Sequence, residues 1–319
     1  MKLSKIYETA VKTGIENDPR GREAVKKLLE QEKKKYEELK DDEKRDYDKE
    51  RLVNPYADTR ILNGTGDEEV GSLIAGIDME TPELLLVEAL RRGGKKIDMA
   101  LTHHPEGMAY ANLSDVMNVH ADVLHKFGVP INIAEAIMEP RIKEVSRKVM
   151  PQNHTRATDA AKLLGIPYMS AHTVADNCVT SFLQNLFDTG KPDRIEGVIK
   201  ILKEVPEYKK AVTASRGPAI VVGSKDKRAG KILVDMTGGT EGSIEAFEKL
   251  AQSGVGTIVG MHMSEEHIKN AEKYHVNVVI AGHISSDTVG LNLLFDSIEK
   301  HLGKLEFIDC SGFSRIRRT

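Results

Sequence analysis

Residues 72–104, "SLIAGIDMETPELLLVEALRRGGKKIDMALTHH", decide the fold. Two short apolar runs, "SLIAGIDM" and "KIDMALTHH", flank a stretch that opens at Thr81-Pro82 and closes at Gly93-Gly94. Proline suits the first helical turn, where its missing N–H would have no partner anyway, and glycine is the usual residue just past a helix end. The reading is strand, helix, strand, the unit from which parallel sheets are built. A second such unit lies downstream, where "AGKILVDM" and "GVGTIVGMHMS" flank the helical "GSIEAFEKLAQSG". Overlaying the two sets Asp78 on Asp235. Asp78 to His104 is 26 positions and Asp235 to His262 is 27, so a single inserted residue brings the two histidines into register. The expected fold is α/β: two related α/β domains with mixed sheets flanked by helices, able to face one another across a pseudo-twofold axis. Any two units of ordinary length look alike, so duplication and coincidence both stand at this point.

The ends of the chain fix the expected domain limits. Residues 21–52 carry 11 basic and 11 acidic side chains, with Val25, Leu28, Leu29, Tyr36 and Leu39 forming one narrow apolar stripe. Such a helix either packs on its own domain or reaches a neighbouring subunit. Pro55, Gly64 and Gly66 then break the helical pattern. The expected organisation is a charged helical extension at 1–55, a first α/β domain at 56–185, a helical connection at 186–218 and a second α/β domain at 219–319.

Composition excludes several function classes. A net charge of -3 offers no general attraction to nucleic acid or to an anionic membrane, and tryptophan is absent, so base-stacking platforms are not expected. There is no apolar run long enough to span a bilayer, and the opening "MKLSKIYETAVKTGIENDPR" lacks the apolar core of a signal peptide. Two cysteines, Cys178 and Cys310, cannot build a disulfide framework, which suits a reducing compartment. A cytoplasmic protein with a small-molecule partner is expected.

Chemistry concentrates at strand ends. His103 and His104 follow "KIDMAL" at the carboxyl end of a strand, where ligands enter α/β sheets. Consecutive side chains of an extended backbone diverge, so neighbouring imidazoles serve two metal ions more easily than they chelate one. "IPYMSAHTVADNCV" ends a strand in His172 and Asp176; alone, Asp176 reads equally as a helix cap and His172 as a hydrogen-bonded core histidine. "NVVIAGHISSDTVGLNLLFDSIEK" sets His283 before a helix expected to start near Ser285 or Ser286, with Asp287 in its first turn. Together these strand ends supply His103, His104, Asp176, His283 and Asp287. Imidazoles with carboxylates suit zinc, iron, manganese, cobalt or nickel, and five ligands leave two cations with open positions for water. Water between two cations is acidified toward hydroxide near neutral pH.

"LTHHP", "AHTVAD" and "AGHISSD", in this order and at these distances, resemble the motifs of the NIF-three-like dinuclear metal centre proteins, also called the GTP cyclohydrolase I type 2 family. The resemblance spans about residues 70–319. It implies that His103, His104, Asp176, His283 and Asp287 are the ligands of two divalent metal ions per chain, that two α/β domains enclose them, and that six subunits form a toroid. Three features depart from the family. Asp287 stands where Glu is usual, "NPYADTRILNG" replaces an aromatic-acidic segment after a longer charged stretch, and the connection over 181–219 is too short for the larger inserted domain.

The expected function is therefore a metal-dependent hydrolase acting through metal-bound hydroxide on a small nucleotide-like or phosphorylated substrate, of GTP cyclohydrolase type by the resemblance. A non-catalytic metal-binding scaffold or regulator is the alternative. Phosphoesterases with an Asp-His-His motif fit less well, since Thr102 stands where that Asp would be. His262 and Glu265 are the candidate catalytic residues, and His267 is expected on a solvated helix. "VDMTGGTEGSIEAFE" offers Gly238, Gly239 and Gly242 between strand and helix, where amides could cradle a phosphate or merely form a tight turn; no Gly-Lys-Ser/Thr follows.

Overall fold

The computed structural model describes residues 1–214 and 217–318. The chain opens with α1 (Leu3–Glu16), α2 (Arg22–Glu38), the short α3 (Asp41–Asp46) and a 3-10 turn at Lys49–Leu52. Then come β1 (Thr59–Asn63), β2 (Ser72–Gly76), α4 (Thr81–Arg92) and β3 (Met99–Thr102). A helical excursion follows through α5 (Gly107–Ala111), α6 (Leu113–Val116), α7 (Asn118–Lys126), α8 (Ile131–Val149) and α9 (Arg156–Leu163). It returns to β4 (Tyr168–Ala171) and α10 (Thr173–Gly190), and α11 (Ile195–Glu204) and α12 (Pro206–Thr213) lead onward. The second half runs β5 (Ala219–Val222), β6 (Lys231–Asp235), α13 (Ala246–Gln252), β7 (Val255–Gly260), α14 (Glu265–Lys273) and β8 (Asn277–Ile280). It ends in α15 (His283–Leu302) and β9 (Glu306–Asp309).

Both sheets are mixed. One has the order β1-β4-β3-β2-β9 and the other β5-β8-β7-β6, with β1 and β5 the antiparallel edges. The first four strands of one order correspond to the four of the other, with β9 the one addition, and α10 follows β4 as α15 follows β8. The repeat seen around Asp78 and Asp235 therefore extends over four strands of each sheet, which coincidence of loop length does not produce.

Alternation of apolar residues places each sheet between helical layers. In the first sheet, Leu73, Met99, Leu101 and Met169 face α1, α10 and α15, while Ile74, Ala100 and Tyr168 face α4 and α9. In the second, Ile232, Val234 and Val279 face α10 to α12 and α15, while Leu233, Ile258 and Val278 face α7, α8, α13 and α14. The layers run helix, sheet, helix, sheet, helix. At the centre α10 and α15 cross so closely that a Cβ on Gly290 would lie 2.5 Å from the Ala175 carbonyl oxygen.

Two expected boundaries give way to this packing. The segment 1–55 is not an extension throughout: Leu3, Ile6 and Ala10 of α1 are fully buried in the central layer, and only α2 and α3 form the charged arm. The limits 56–185 and 219–319 are crossed twice. Strand β9 pairs parallel with β2 in the first sheet, and α7 and α8 seal the outer face of the second. The apolar stripe on the charged helix is only partly covered, with Val25 alone buried in α2. Ile6→Ala should accordingly cost about 2–5 kcal/mol in chemical unfolding. Leu29→Ala should cost roughly 1 kcal/mol or less, as for a residue that stays half exposed. Equal losses would contradict the division drawn between α1 and α2.

Candidate metal centre

Strand register builds the first corner. Gly76 of β2 lies opposite Thr102 of β3, and the pairing continues past the strand ends, with His103 N donating to Gly76 O at 3.0 Å and His104 N to Ile77 O at 2.9 Å. The two histidines are thus held at the sheet's carboxyl edge with their rings tilted by 40° and their centroids 5.4 Å apart, rather than diverging as an extended backbone suggests. His103 Nδ1 donates to the Ala171 carbonyl at 3.1 Å and His104 Nδ1 to Asp78 Oδ1 at 2.6 Å. Each bond leaves the Nε2 lone pair free for a cation, the usual way a metal-binding imidazole is oriented.

The remaining donors come from the duplicated helix starts. His172 precedes α10 with Asp176 in its first turn, and His283 opens α15 with Asp287 one turn on. Both are His-x-x-x-Asp, and the spacing puts imidazole and carboxylate on one helix face. The geometry repeats with the sequence: His172 Nε2 lies 3.7 Å from Asp176 Oδ2, and His283 Nε2 lies 3.6 Å from Asp287 Oδ2. His172 Nδ1 donates to fully buried Asp58 at 2.9 Å, so this ring too presents Nε2. Gly282, at φ 113°, makes the turn that starts α15 at His283, two to three residues before the expected Ser285 or Ser286.

The donors fall into two groups that share the His103 imidazole. His103, His172 and Asp176 converge on one side; His103, His104 and Asp287 form a second group. Asp287 Oδ1 is 3.5 Å from His103 Nε2, and its Oδ2 is 3.6 Å from His104 Nε2. His104 Nε2 and His283 Nε2 are 3.4 Å apart, a separation that two ligands of one ion adopt. Both oxygens of Asp287 and Oδ1 of Asp176 are buried without a hydrogen-bond partner. Such atoms cost free energy unless something positive meets them. Imidazole lone pairs and orphaned carboxylate oxygens are the donor set of a borderline divalent cation. No thiol joins them: Cys178 is buried elsewhere in α10 and Cys310 lies after β9.

Charge is distributed to match. Burial lowers the His104 imidazole, reinforced by the neighbouring His103 and His172, and burial likewise lowers His283, so both favour the neutral, ligating form. Burial also opposes charge on His103 and His172, but the Asp287 carboxylate beside the first and Asp176 beside the second outweigh it and draw positive charge in. At Asp287 burial works against ionisation, yet the His103, His283 and His104 imidazoles hold the carboxyl below its usual range.

All five residues expected to bind metal therefore meet in one place. His172, left open in the sequence between a strand-end donor and a core histidine, was not among the five, and Asp58 and Asp78, which hold imidazoles from behind, were not expected to do so. The twice-repeated His-x-x-x-Asp was the available signal. Among the catalytic candidates, His262 packs against His283 with ring centroids 4.6 Å apart, its Nδ1 on Glu241 Oε1 at 3.2 Å. Glu265 does not join it; it is exposed at the start of α14, facing a groove with Arg141 and Arg147. His267 is buried rather than solvated, with Nε2 donating to Gly242 O at 3.1 Å.

His172, Asp176, His262, His283 and Asp287 line a cavity of ≈ 80 Å³ completed by the loop after β6. Pockets that enclose whole drug-sized ligands run to roughly 300–1,000 Å³, so this one admits the reacting end of a molecule. A larger cavity of ≈ 980 Å³ beside β6 holds none of the candidate donors, so its size gives it no claim to the chemistry. Among the described residues no helix is long and apolar enough to cross a membrane.

No protein-family model and no curated protein matches the sequence. Solved structures do. The NIF3 superfamily protein from Sphaerobacter thermophilus aligns at 26% identity over 82% of this chain and 93% of its own, with a TM-score of 0.70. Reduced HcgD from Methanocaldococcus jannaschii aligns at 18% identity over 79% of this chain and 87% of its own, with a TM-score of 0.47. A Bacillus cereus protein related to NIF3 aligns at 12% identity over 78% and 90%, with a TM-score of 0.39.

Proposed function

We propose that this chain, a NIF3-like protein by fold and by likeness of sequence, binds two divalent cations and is a metal-dependent hydrolase of a small phosphorylated or nucleotide-like substrate. The observation that carries the reading is the buried Asp287 carboxylate, unpartnered at both oxygens between His103 on one side and His104 and His283 on the other. His103, His172 and Asp176 would hold one cation, His104 and His283 the other, and Asp287 would bridge them. Bound there, the pair supplies Lewis acidity and lowers the pKa of water.

The chain's own groups do the rest. Asp58, Asp78 and the Ala171 carbonyl fix three rings, so ligand geometry is set before substrate arrives. His262, steadied by Glu241, offers Nε2 as a hydrogen-bond partner for substrate opposite the cations. Buried walls around Asp176 and Asp287 exclude bulk water, which strengthens every charge interaction inside. A GTP-type substrate, a hexameric toroid and a cytoplasmic location follow the family resemblance and belong to this proposal.

The exposed arm of α2 and α3 favours a second reading, a metal-dependent scaffold. His104→Ala separates the two. Purified wild type should carry about two cations per chain, as the donor sets provide, and the variant fewer. Lost turnover with assembly intact supports the enzyme, and lost assembly supports the scaffold. Unchanged metal content in the variant would sink both.

A further inference from the structure

The two halves of the molecule differ at one sheet edge. In the first sheet, α15 delivers β9 to the outer side of β2, where Leu73 lies opposite Phe307. Strand β6 is the counterpart of β2, and α10 is the counterpart of α15. Among the described residues no strand takes the matching place beside β6. The chain leaves α10 through Lys191, left-handed at φ 42°, and Pro192, which has no N–H to give to a ladder. Only Arg194 touches the approach to β6, bridging antiparallel to Arg228 before α11 begins at Ile195.

What lies there instead is the cavity of ≈ 980 Å³, with Gly230 to Val234 along one side and α7, α10 and the turn after α1 as its other walls. An edge strand offers its N–H and C=O groups to an added strand. This edge already shows such pairing in miniature. The Gln184 side chain donates from Nε2 to Ile232 O at 3.1 Å and accepts at Oε1 from Val234 N at 3.0 Å, the two bonds that a neighbouring strand would make. Charge narrows the choice of strand. Of the acids that line the cavity, Asp18 is paired with Arg20, Glu16 with Arg22 and Asp193 with Arg194, while Asp188 accepts from Gln184. Lys126, Lys191, Arg228 and Lys231 stand exposed around it, and among the described residues none of them meets a carboxylate. Lys126 and Lys231 reach only the carbonyls of Pro19 and Phe127.

We propose that the β6 edge is a docking site for an acidic peptide segment of another protein, bound as an added strand in the place that β9 fills beside β2. The segment displaces the Gln184 side chain from Ile232 and Val234 and sets its carboxylates against Lys126, Lys191, Arg228 and Lys231. The site shares no residue with the metal centre, so it stands whether or not that centre is catalytic.

The test is titration of the full chain into a short fluorescent peptide of alternating Val and Glu, followed by anisotropy. Saturable binding is expected. It should weaken at least about tenfold for the matching peptide of Val and Lys, and as much for a fully N-methylated Val and Glu peptide, which keeps the charge but has no N–H to pair along the edge. Lys231→Glu, at an exposed position, should weaken it by a similar factor. Gln184→Ala should act in the opposite direction and tighten binding severalfold, because it uncovers Ile232 O and Val234 N. If that variant fails to fold, the three peptides and Lys231→Glu decide the matter. Absence of saturable binding, equal binding of the three peptides, or weaker binding by folded Gln184→Ala would overturn the proposal. Self-association of the chain that Lys231→Glu abolishes, with no peptide bound, would assign the edge to a second copy and overturn it as well.

Discussion

Asp287→Ala is expected to remove both cations at once, where loss of any outer histidine removes at most one. Its Oδ1 is 3.5 Å from the imidazole of His103, the residue common to both donor groups, and its Oδ2 is 3.6 Å from those of His104 and His283, so it stands between the two positions. A ligand that binds only the native state stabilises it by about 4 kcal/mol at a thousandfold excess over Kd. Two cations at that saturation place the loaded wild type above the variant by roughly 8 kcal/mol, a Tm difference on the order of 10 °C or more. The difference should shrink in chelator, where stripped wild type keeps only the attraction between the Asp287 carboxylate and the His103, His283 and His104 imidazoles. Metal content and calorimetry with and without chelator check both halves. A variant that still holds a cation, or a wild-type Tm that chelation leaves unmoved, contradicts the shared-carboxylate geometry.

Gly290→Ala should be strongly destabilising for a single added methyl group. The new Cβ would sit 2.5 Å from the Ala175 carbonyl oxygen and 2.9 Å from its carbon, which are backbone atoms of α10 and cannot rotate aside. The two helices must separate or deform, at a cost of about 3 kcal/mol. Function should suffer beyond stability. Gly290 lies one turn from Asp287, and Ala175 adjoins Asp176, so the same displacement parts the two His-x-x-x-Asp pairs. Unfolding measurements should show the loss of stability, and metal analysis of the folded fraction should show fewer cations. Wild-type stability in this variant would mean that the helices are not in close contact.

The placement of His103 and His104 at a strand end, of His283 beside Asp287, and of two strand–helix–strand units was legible because those features are local. Periodicity, turn residues and side-chain spacing act within a few residues. His172 shows where locality stops. The sequence beside it was compatible with a core histidine, and only Asp58, 114 positions away, turns its Nε2 toward Asp176. The N-terminal segment failed in the opposite sense. Its charge belongs to α2 and α3, whereas α1 is core, because burial depends on what α10 and α15 present to it. Glu241 and His120 were likewise unreadable as neighbours of the centre, since their roles arise from hydrogen bonds across distant elements.

By itself, then, the sequence determined the two α/β units, the strand ends that carry chemistry, and the residue types able to hold a borderline metal. Tertiary structure alone decided that those strand ends face one another, that Asp287 lies between His103 on one side and His104 and His283 on the other, and that β9 and α7 with α8 cross between the halves. The physical reason is range: secondary structure and motif spacing follow from neighbours in the chain, while convergence of donors follows from how the packed layers meet at Gly290 and Ala175.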